Sequence, residues 1–400
     1  MIFTQKMKVL YTNPIFLYYR IPYYKRLKDL FGGEFYVLYS VNRYKQRKEW
    51  VGVLDKIPEA LGDNAIPYEK EKIFDTYTKS FNKCSFEQGG KKIPFPIGLF
   101  SLIRKLRPDV LITEGFFQWT PLVLFYGFVF HKPVFIGYER TCYTERNASW
   151  FLKMHRKISN WFVKGYIVNG TETTKYLETL GIKRSKIFVG GMSADSKMLQ
   201  DKIANFSIEE KLQFKSMFVS GDGILFLFTG KLCERKGVSY LLSAWCEHIK
   251  KYPNDILILV GAGDLGEVLK EKYALIDSIK FVGAVPYSDI YKYYAIADVL
   301  VIPTIEDNWS LVVPEAMSCG LPVATSIYNG CHTDLIYEGE NGITFDTFQQ
   351  DNILKALDSF HYRNLKDMGE KSKQIETTFN TENCARRTFD AIVSQVKTKD

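Results

Sequence analysis

The sequence predicts an α/β protein of two domains in series, each a parallel sheet wrapped by helices, the two facing one another across a cleft. Three observations lead there. The 400 residues exceed what one hydrophobic core usually holds. Short β-branched or aromatic runs alternate with helical patterns along the whole length, as repeated βα units require. Several of those runs, ILFLFT and ILILV among them, are near-continuously apolar, which suits strands covered on both faces.

In chain order, the strands of the first half are expected at Met7–Thr12, Phe35–Ser40, Val110–Thr113, Val134–Tyr138, Tyr166–Asn169 and Lys186–Gly190. Those of the second half are expected at Ile224–Thr229, Ile256–Val260, Lys280–Gly283, Val299–Pro303 and Pro322–Ser326. The apolar stretch Pro121–Phe130 is about half of the roughly 20 residues that a membrane span needs, and reads as a core helix. Met1–Lys8 is too short and polar for a signal peptide. Ser193–Gly223 is polar, lacks strand signals and carries one helix, Phe206–Val219. It separates an N-terminal domain, 1–200, from a C-terminal domain, 201–380. A last helix near Thr381–Val396, within 381–400, could pack on either domain and is assigned to the N-terminal one.

Composition narrows the function. With 46% apolar and 24% charged residues the chain is globular and not disordered. Seven cysteines with no CxxC pair argue against a disulfide framework or a zinc ribbon, and for a reducing, cytoplasmic location. The net charge of +8 hides an asymmetry: residues 1–200 carry 32 Lys and Arg against 17 Asp and Glu, whereas 201–400 carry 21 against 28. The basic half is expected to face something anionic. Its densest basic spot, Arg43, Lys45, Arg47 and Lys48 beside Trp50, has the composition of an anchor at an anionic membrane.

Two segments carry residues suited to chemistry. Thr229-Gly230-Lys231-Leu232-Cys233-Glu234-Arg235-Lys236-Gly237 joins a buried strand to an amphipathic helix, Val238–Lys250. That turn aims free N–H groups and the positive end of a helix dipole at the carboxyl edge of the sheet, and Lys231 and Lys236 could both reach one diphosphate. The second segment runs from Glu306 to Gly320. Pro314 suits a helix start, and Gly320 before Pro322 stops the helix. Glu315 in its first turn could accept two hydrogen bonds from a ribose diol. Asp307, eight positions earlier, would face the same crevice, and its neighbours could offer N–H groups to sugar hydroxyls.

Other chemistries fit less well. Gly261-Ala262-Gly263-Asp264-Leu265-Gly266 is a literal GxGxxG after a strand, yet the acid that should follow about 20 residues later is missing, so hydride transfer is disfavoured. There is no DxD, no GxSxG elbow and no Walker loop. The histidines (131, 155, 248, 332 and 361) lack HExxH or HxH spacing, and no metal site is expected.

The second half resembles the retaining glycosyltransferases of family 4, which have the two-domain, Rossmann-like GT-B fold. TGKLCERKG is similar to that family's GRLxxxKG turn, and ILILVGAGD and FVGAVPYSDIYKYYAIADVLVIPT to its following strands and helix. EDNWSLVVPEAMSCGLPVATS is similar to its E-x7-E motif with the EAMxCGxPV tail. The likeness covers about residues 222–345.

That resemblance implies transfer of a sugar from a nucleotide-diphosphate donor to a glycan or lipid-linked acceptor hydroxyl, without metal, cofactor or nucleic acid. It makes Lys236 the diphosphate lysine, and Lys231 stands where an arginine is usual. Glu315 holds the ribose, and Asp307, or Glu306 in its place, meets the transferred sugar. Gly230, Gly261, Val282, Asn308, Trp309, Ser310 (a glycine in relatives) and Leu311 complete the donor contacts. Glu139 replaces a histidine of the family in a catalytic or orienting role. Asn13 and Arg20 are candidate acceptor contacts. A nucleotide-sugar epimerase, a glycan phosphorylase or a non-catalytic sugar-nucleotide-binding protein are the alternatives.

Overall fold

A computed structural model describes residues 7–16, 19–45, 51–76, 91–218 and 221–397. They form two units, Met1–Ser193 with Thr381–Asp400, and Ala194–Asn380. In the first unit the strands are β1 (Val9–Thr12), β2 (Phe35–Ser40), β3 (Ala65–Tyr68), β4 (Glu71–Thr76), β5 (Lys91–Pro96), β6 (Val110–Glu114), β7 (Val134–Tyr138), β8 (Gly165–Val168) and β9 (Ile187–Val189). Seven of them make a parallel sheet in the order β3-β2-β1-β6-β7-β8-β9, while β4 and β5 form a separate antiparallel hairpin. Leu10, Leu111, Ile136, Val168 and Trp119 lie in its core. The helix Thr381–Lys397 belongs to this unit: it packs on the helix Arg20–Leu30, where the Tyr23 and Thr388 hydroxyls meet at 2.8 Å and Phe31 lies against Phe389.

The second unit holds β10 (Leu225–Thr229), β11 (Ile256–Val260), β12 (Ile279–Gly283), β13 (Val299–Ile302), β14 (Val323–Ser326) and β15 (Gly342–Phe345), all parallel, in the order β12-β11-β10-β13-β14-β15. Every residue of β10 and β13 is buried, as their unbroken apolar runs require. The strand order reverses between β10 and β13, and in the first sheet between β1 and β6. At such a switch point the loops diverge to opposite faces and leave a crevice beyond the carboxyl ends of the strands.

Several expectations are corrected by this architecture. The first unit ends at Ser193, before residue 200, because the helix Ser196–Ala204 packs against the helices Tyr291–Ile296 and Val312–Ser318 of the second unit. The helix expected at Phe206–Val219 is Ile208–Ser216, started by a capping box in which Ser207 and Glu210 bond reciprocally; Val219 lies outside the described residues. Arg43 is not a free surface cation, since its guanidinium forks onto the buried Glu71 carboxylate at 2.8 and 3.0 Å. Of its basic neighbours, Lys45 is exposed, and Arg47, Lys48 and Trp50 lie outside the described residues. No helix among the described residues is long and apolar enough to cross a membrane.

Candidate functional site

The loops after β10 and β11 are pressed together, and glycine makes this possible. A Cβ on Gly261 would lie 1.8 Å from the Gly230 carbonyl oxygen, and one on Gly263 would lie 2.2 Å from that of Leu232. Leu232 N–H donates to Ala262 O and Leu265 N–H returns to Leu232 O, both at 3.0 Å. The GxGxxG run therefore serves loop-to-loop packing. Gly237, at φ +67, faces the Pro303 carbonyl so closely that a Cβ would come within 1.8 Å. The turn after β10 is thereby locked against the loop after β13, the two connections that flank the switch point.

Lys236 and Asp307 meet on those two loops, Nζ to Oδ2 at 2.5 Å. Ser310 Oγ donates to the same carboxylate oxygen at 2.9 Å and lies 3.4 Å from the ammonium, while Trp309 N–H reaches Oδ1 at 3.3 Å. Arg235 fixes the loop by donating to Glu306 O at 2.7 Å. Burial pushes the Asp307 carboxyl up, but Lys236, Arg235 and the Ser310 hydroxyl outweigh it and hold it below the usual carboxylate range. Ser310 N–H is received by the buried Asn329 side chain at 3.2 Å. Trp309 is buried against Phe379, and its Nε1, like Asn308 Oδ1, has no hydrogen-bond partner among the described residues. Lys231 is exposed, with no hydrogen bond or ion pair among the described residues, and Val282 sits half-buried near the carboxyl end of β12.

Leu311 starts the helix Val312–Ser318, which carries Glu315 into the protein. Its carboxylate is buried between two tyrosines, with Tyr287 OH donating to Oε1 at 2.9 Å and Tyr294 OH to Oε2 at 2.8 Å. The Tyr294 hydroxyl also lies 3.3 Å from Thr229 Oγ1, which places the cluster at the carboxyl end of β10. Burial pushes the Glu315 carboxyl up to about 7, with the two tyrosine bonds pulling the other way. These two bonds take two of its roughly four lone-pair positions. Lys236, in the turn after β10, thus meets Asp307 and Ser310 of the loop after β13, and that loop runs on through Leu311 into the helix that carries Glu315.

In the first unit, Arg20 is buried and committed internally, to Glu114 at 3.3 Å and to the Gly191 carbonyl. Asn13 donates to Tyr24 OH at 2.8 Å, and its buried Oδ1 has no partner among the described residues. These groups, with the Tyr11 hydroxyl on Glu114, fill the β1–β6 switch point. Glu139 follows β7, receives Thr173 Oγ1 on its backbone carbonyl, and lines a pocket of about 330 Å³ with Glu114, Tyr138 and Arg156.

The fold also gathers residues that spacing kept apart. His248 and His361 both place Nε2 on Asp255 Oδ2, at 2.8 and 2.7 Å, and His248 Nδ1 meets Asp358 at 2.7 Å. Asp255 precedes β11, at the sheet's opposite end from the Lys236 loops. Tetrahedral ligands on bonds of about 2.0–2.1 Å would stand near 3.3 Å apart. At hydrogen-bond distance these atoms pair with each other, bracing the sheet edge. Tyr287, Tyr294 and Asn329 were also missed, since no local pattern announces which hydroxyl or amide will converge on a distant carboxylate or loop.

Residues 209–375 match the family model described as glycosyl transferases group 1. An uncharacterized glycosyltransferase of Methanocaldococcus jannaschii is 30% identical over 46% of this chain and 49% of its own length. The alpha-monoglucosyldiacylglycerol synthase of Acholeplasma laidlawii is 28% identical over 40% of this chain and 39% of its own. The alignments thus span half or less of these curated relatives. Anabaena HepE, solved in complex with UDP, superposes with a TM-score of 0.72 over 97% of this chain and 100% of its own, at 14% identity, a likeness that carries the GT-B fold alone. The likeness to the glycosyl transferases group 1 family thus lies in the second unit, over residues 209–375.

Proposed function

We propose that this protein is a metal-independent, retaining glycosyltransferase of family 4. It moves a hexose-type sugar from a nucleoside diphosphate to an acceptor hydroxyl during assembly of a surface polysaccharide or lipid-linked glycan. The observation that carries this reading is the contact of Lys236, in the turn after β10, with the loop after β13 that leads into the helix of Glu315, the two connections that flank the β10–β13 switch point. A diphosphate and a ribose are joined by one bond, and a cation and a carboxylate on neighbouring turns suit those two groups.

As the glycosidic bond breaks, the leaving diphosphate gathers charge while the sugar becomes oxocarbenium-like. Lys236, Lys231 and the N–H groups of the Gly230 turn stabilise that charge. Asp307 faces the transferred sugar and Glu139 orients the acceptor. The leaving phosphate oxygen takes the acceptor proton on the same face, so no protein nucleophile is required. The basic first unit and the glycolipid-synthase relative support an acceptor at the cytoplasmic face of an anionic membrane.

Lys236→Ala tests this reading. Removing one preorganised donor to developing charge should lower transfer from the best UDP-, GDP- or ADP-sugar by about 10²–10³. Circular dichroism checks that the variant folds. Wild-type turnover in a folded variant would overturn the assignment, and conversion of the donor sugar without an acceptor would point to an epimerase.

A further inference from the structure

The helix Trp150–Ser159 of the first unit has its polarity inverted. Its inward side carries Arg156, buried against Glu145 at 2.6 Å and ringed by Phe116, Tyr138 and Tyr176. Its outward side shows Trp150 at 64% and Phe151 at 76% of full exposure, and Trp161, in the turn that follows, is 79% exposed. The apolar surface continues through Phe162, whose ring meets that of exposed Phe128 at 5.5 Å. Aromatic side chains left in water at this density mark a surface that something covers.

Charge identifies the occupant. Residues 146–171 contain no Asp or Glu, and half-buried Lys153 and exposed Lys157 lie between Phe151 and Trp161 along the chain. The whole unit carries 35 Lys and Arg against 19 Asp and Glu. Trp and Phe seat at the headgroup boundary while lysine stems lie along them and lift their ammonium groups to lipid phosphates. A second copy on the same patch would bring like-charged lysines face to face across a two-fold axis, which disfavours it.

We propose that Trp150, Phe151, Ile158, Trp161, Lys153 and Lys157 form the face by which this protein docks on an anionic lipid surface. The inference rests on the reading of a membrane-borne acceptor and moves the contact from the Arg43–Trp50 segment to this helix.

The test is sedimentation with phosphatidylcholine vesicles, with and without phosphatidylglycerol, at low salt. Wild type should bind only the anionic vesicles, with a blue shift in tryptophan emission. The exposed double variant Trp150→Ser/Trp161→Ser should bind at least tenfold more weakly, as should Lys153→Glu/Lys157→Glu, each with unchanged thermal melting. Failure of wild type to bind would overturn both this proposal and the membrane reading. Equal binding by wild type and both variants would overturn this surface alone. A wild-type dimer that the tryptophan variant converts to monomer, with vesicle binding unaffected, would show that a second copy covers the patch and would also overturn it.

Discussion

Lys236 and Asp307 are largely withdrawn from water and meet at 2.5 Å, so an anion that takes the lysine competes with a carboxylate already in place. The pair keeps a buried cation compensated in the empty protein, since an unpartnered buried charge is costly. It also sets opposite demands on binding and turnover. Asp307→Asn leaves the geometry nearly intact and removes the competing negative charge. UDP or GDP binding, measured by calorimetry, should then tighten by up to about tenfold, the equivalent of roughly 1.4 kcal/mol. Sugar transfer should fall, because the carboxylate proposed to face the sugar is gone. Looser nucleotide binding with unchanged turnover would place Asp307 outside the site. The spacing of Lys236, Asp307 and Glu315 was legible in the sequence because each sits at a fixed offset from a strand end or a helix start. Tyr287 and Tyr294 were not, because their convergence on Glu315 depends on how a separate helix and turn pack.

At the level of elements, legibility followed burial. β10, β11 and β13 are near-continuous apolar runs that are almost wholly buried, and their sequences said so. The strands left out of the sequence reading lie at edges or apart from the sheets. β3 is an edge strand that tolerates Pro67, β15 is an edge strand of four residues, and β4 and β5 carry charges and prolines in a hairpin of their own. The glycine loop shows how a motif can be present for a reason other than the usual one. Gly263 has ordinary backbone angles, so its requirement is space alone, and a methyl group there would strike the Leu232 carbonyl. Gly263→Ala should cost about 1–3 kcal/mol, the range for forced overpacking, seen as a lower urea midpoint of the full chain. Nucleotide binding should weaken with it, since the displaced backbone leads into Lys231 and Lys236. An unchanged midpoint would mean that the two loops are not held together as described.

Across the whole molecule, buried carboxylates give stability a definite dependence on pH. Glu315 sits between two tyrosine hydroxyls and Glu376 accepts from Ser196, and burial pushes both up to about 7. Unfolded, each returns to the ordinary glutamate value of about 4.3. Between these limits the folded chain holds more protons than the unfolded one, so stability falls as pH rises through this window and levels off above about 7. Asp307 has the opposite sign, because its carboxyl lies below its ordinary value: its contribution is present above that value and lost only in stronger acid. The protein without nucleotide should therefore show a higher urea midpoint near pH 5 than near pH 8, with each glutamate accounting for roughly 3 kcal/mol at most. Glu376→Gln should narrow that gap. Binding should run the other way. In the proposed donor site, ribose hydroxyls would donate to the ionised form of Glu315, so UDP or GDP affinity should rise with pH through about 7 in the wild type and lose that dependence in Glu315→Gln. A wild type more stable near pH 8 than near pH 5 would show that Glu315 is not protonated in the protein without nucleotide, and a nucleotide affinity flat across the same interval would show that it is not the ribose acceptor.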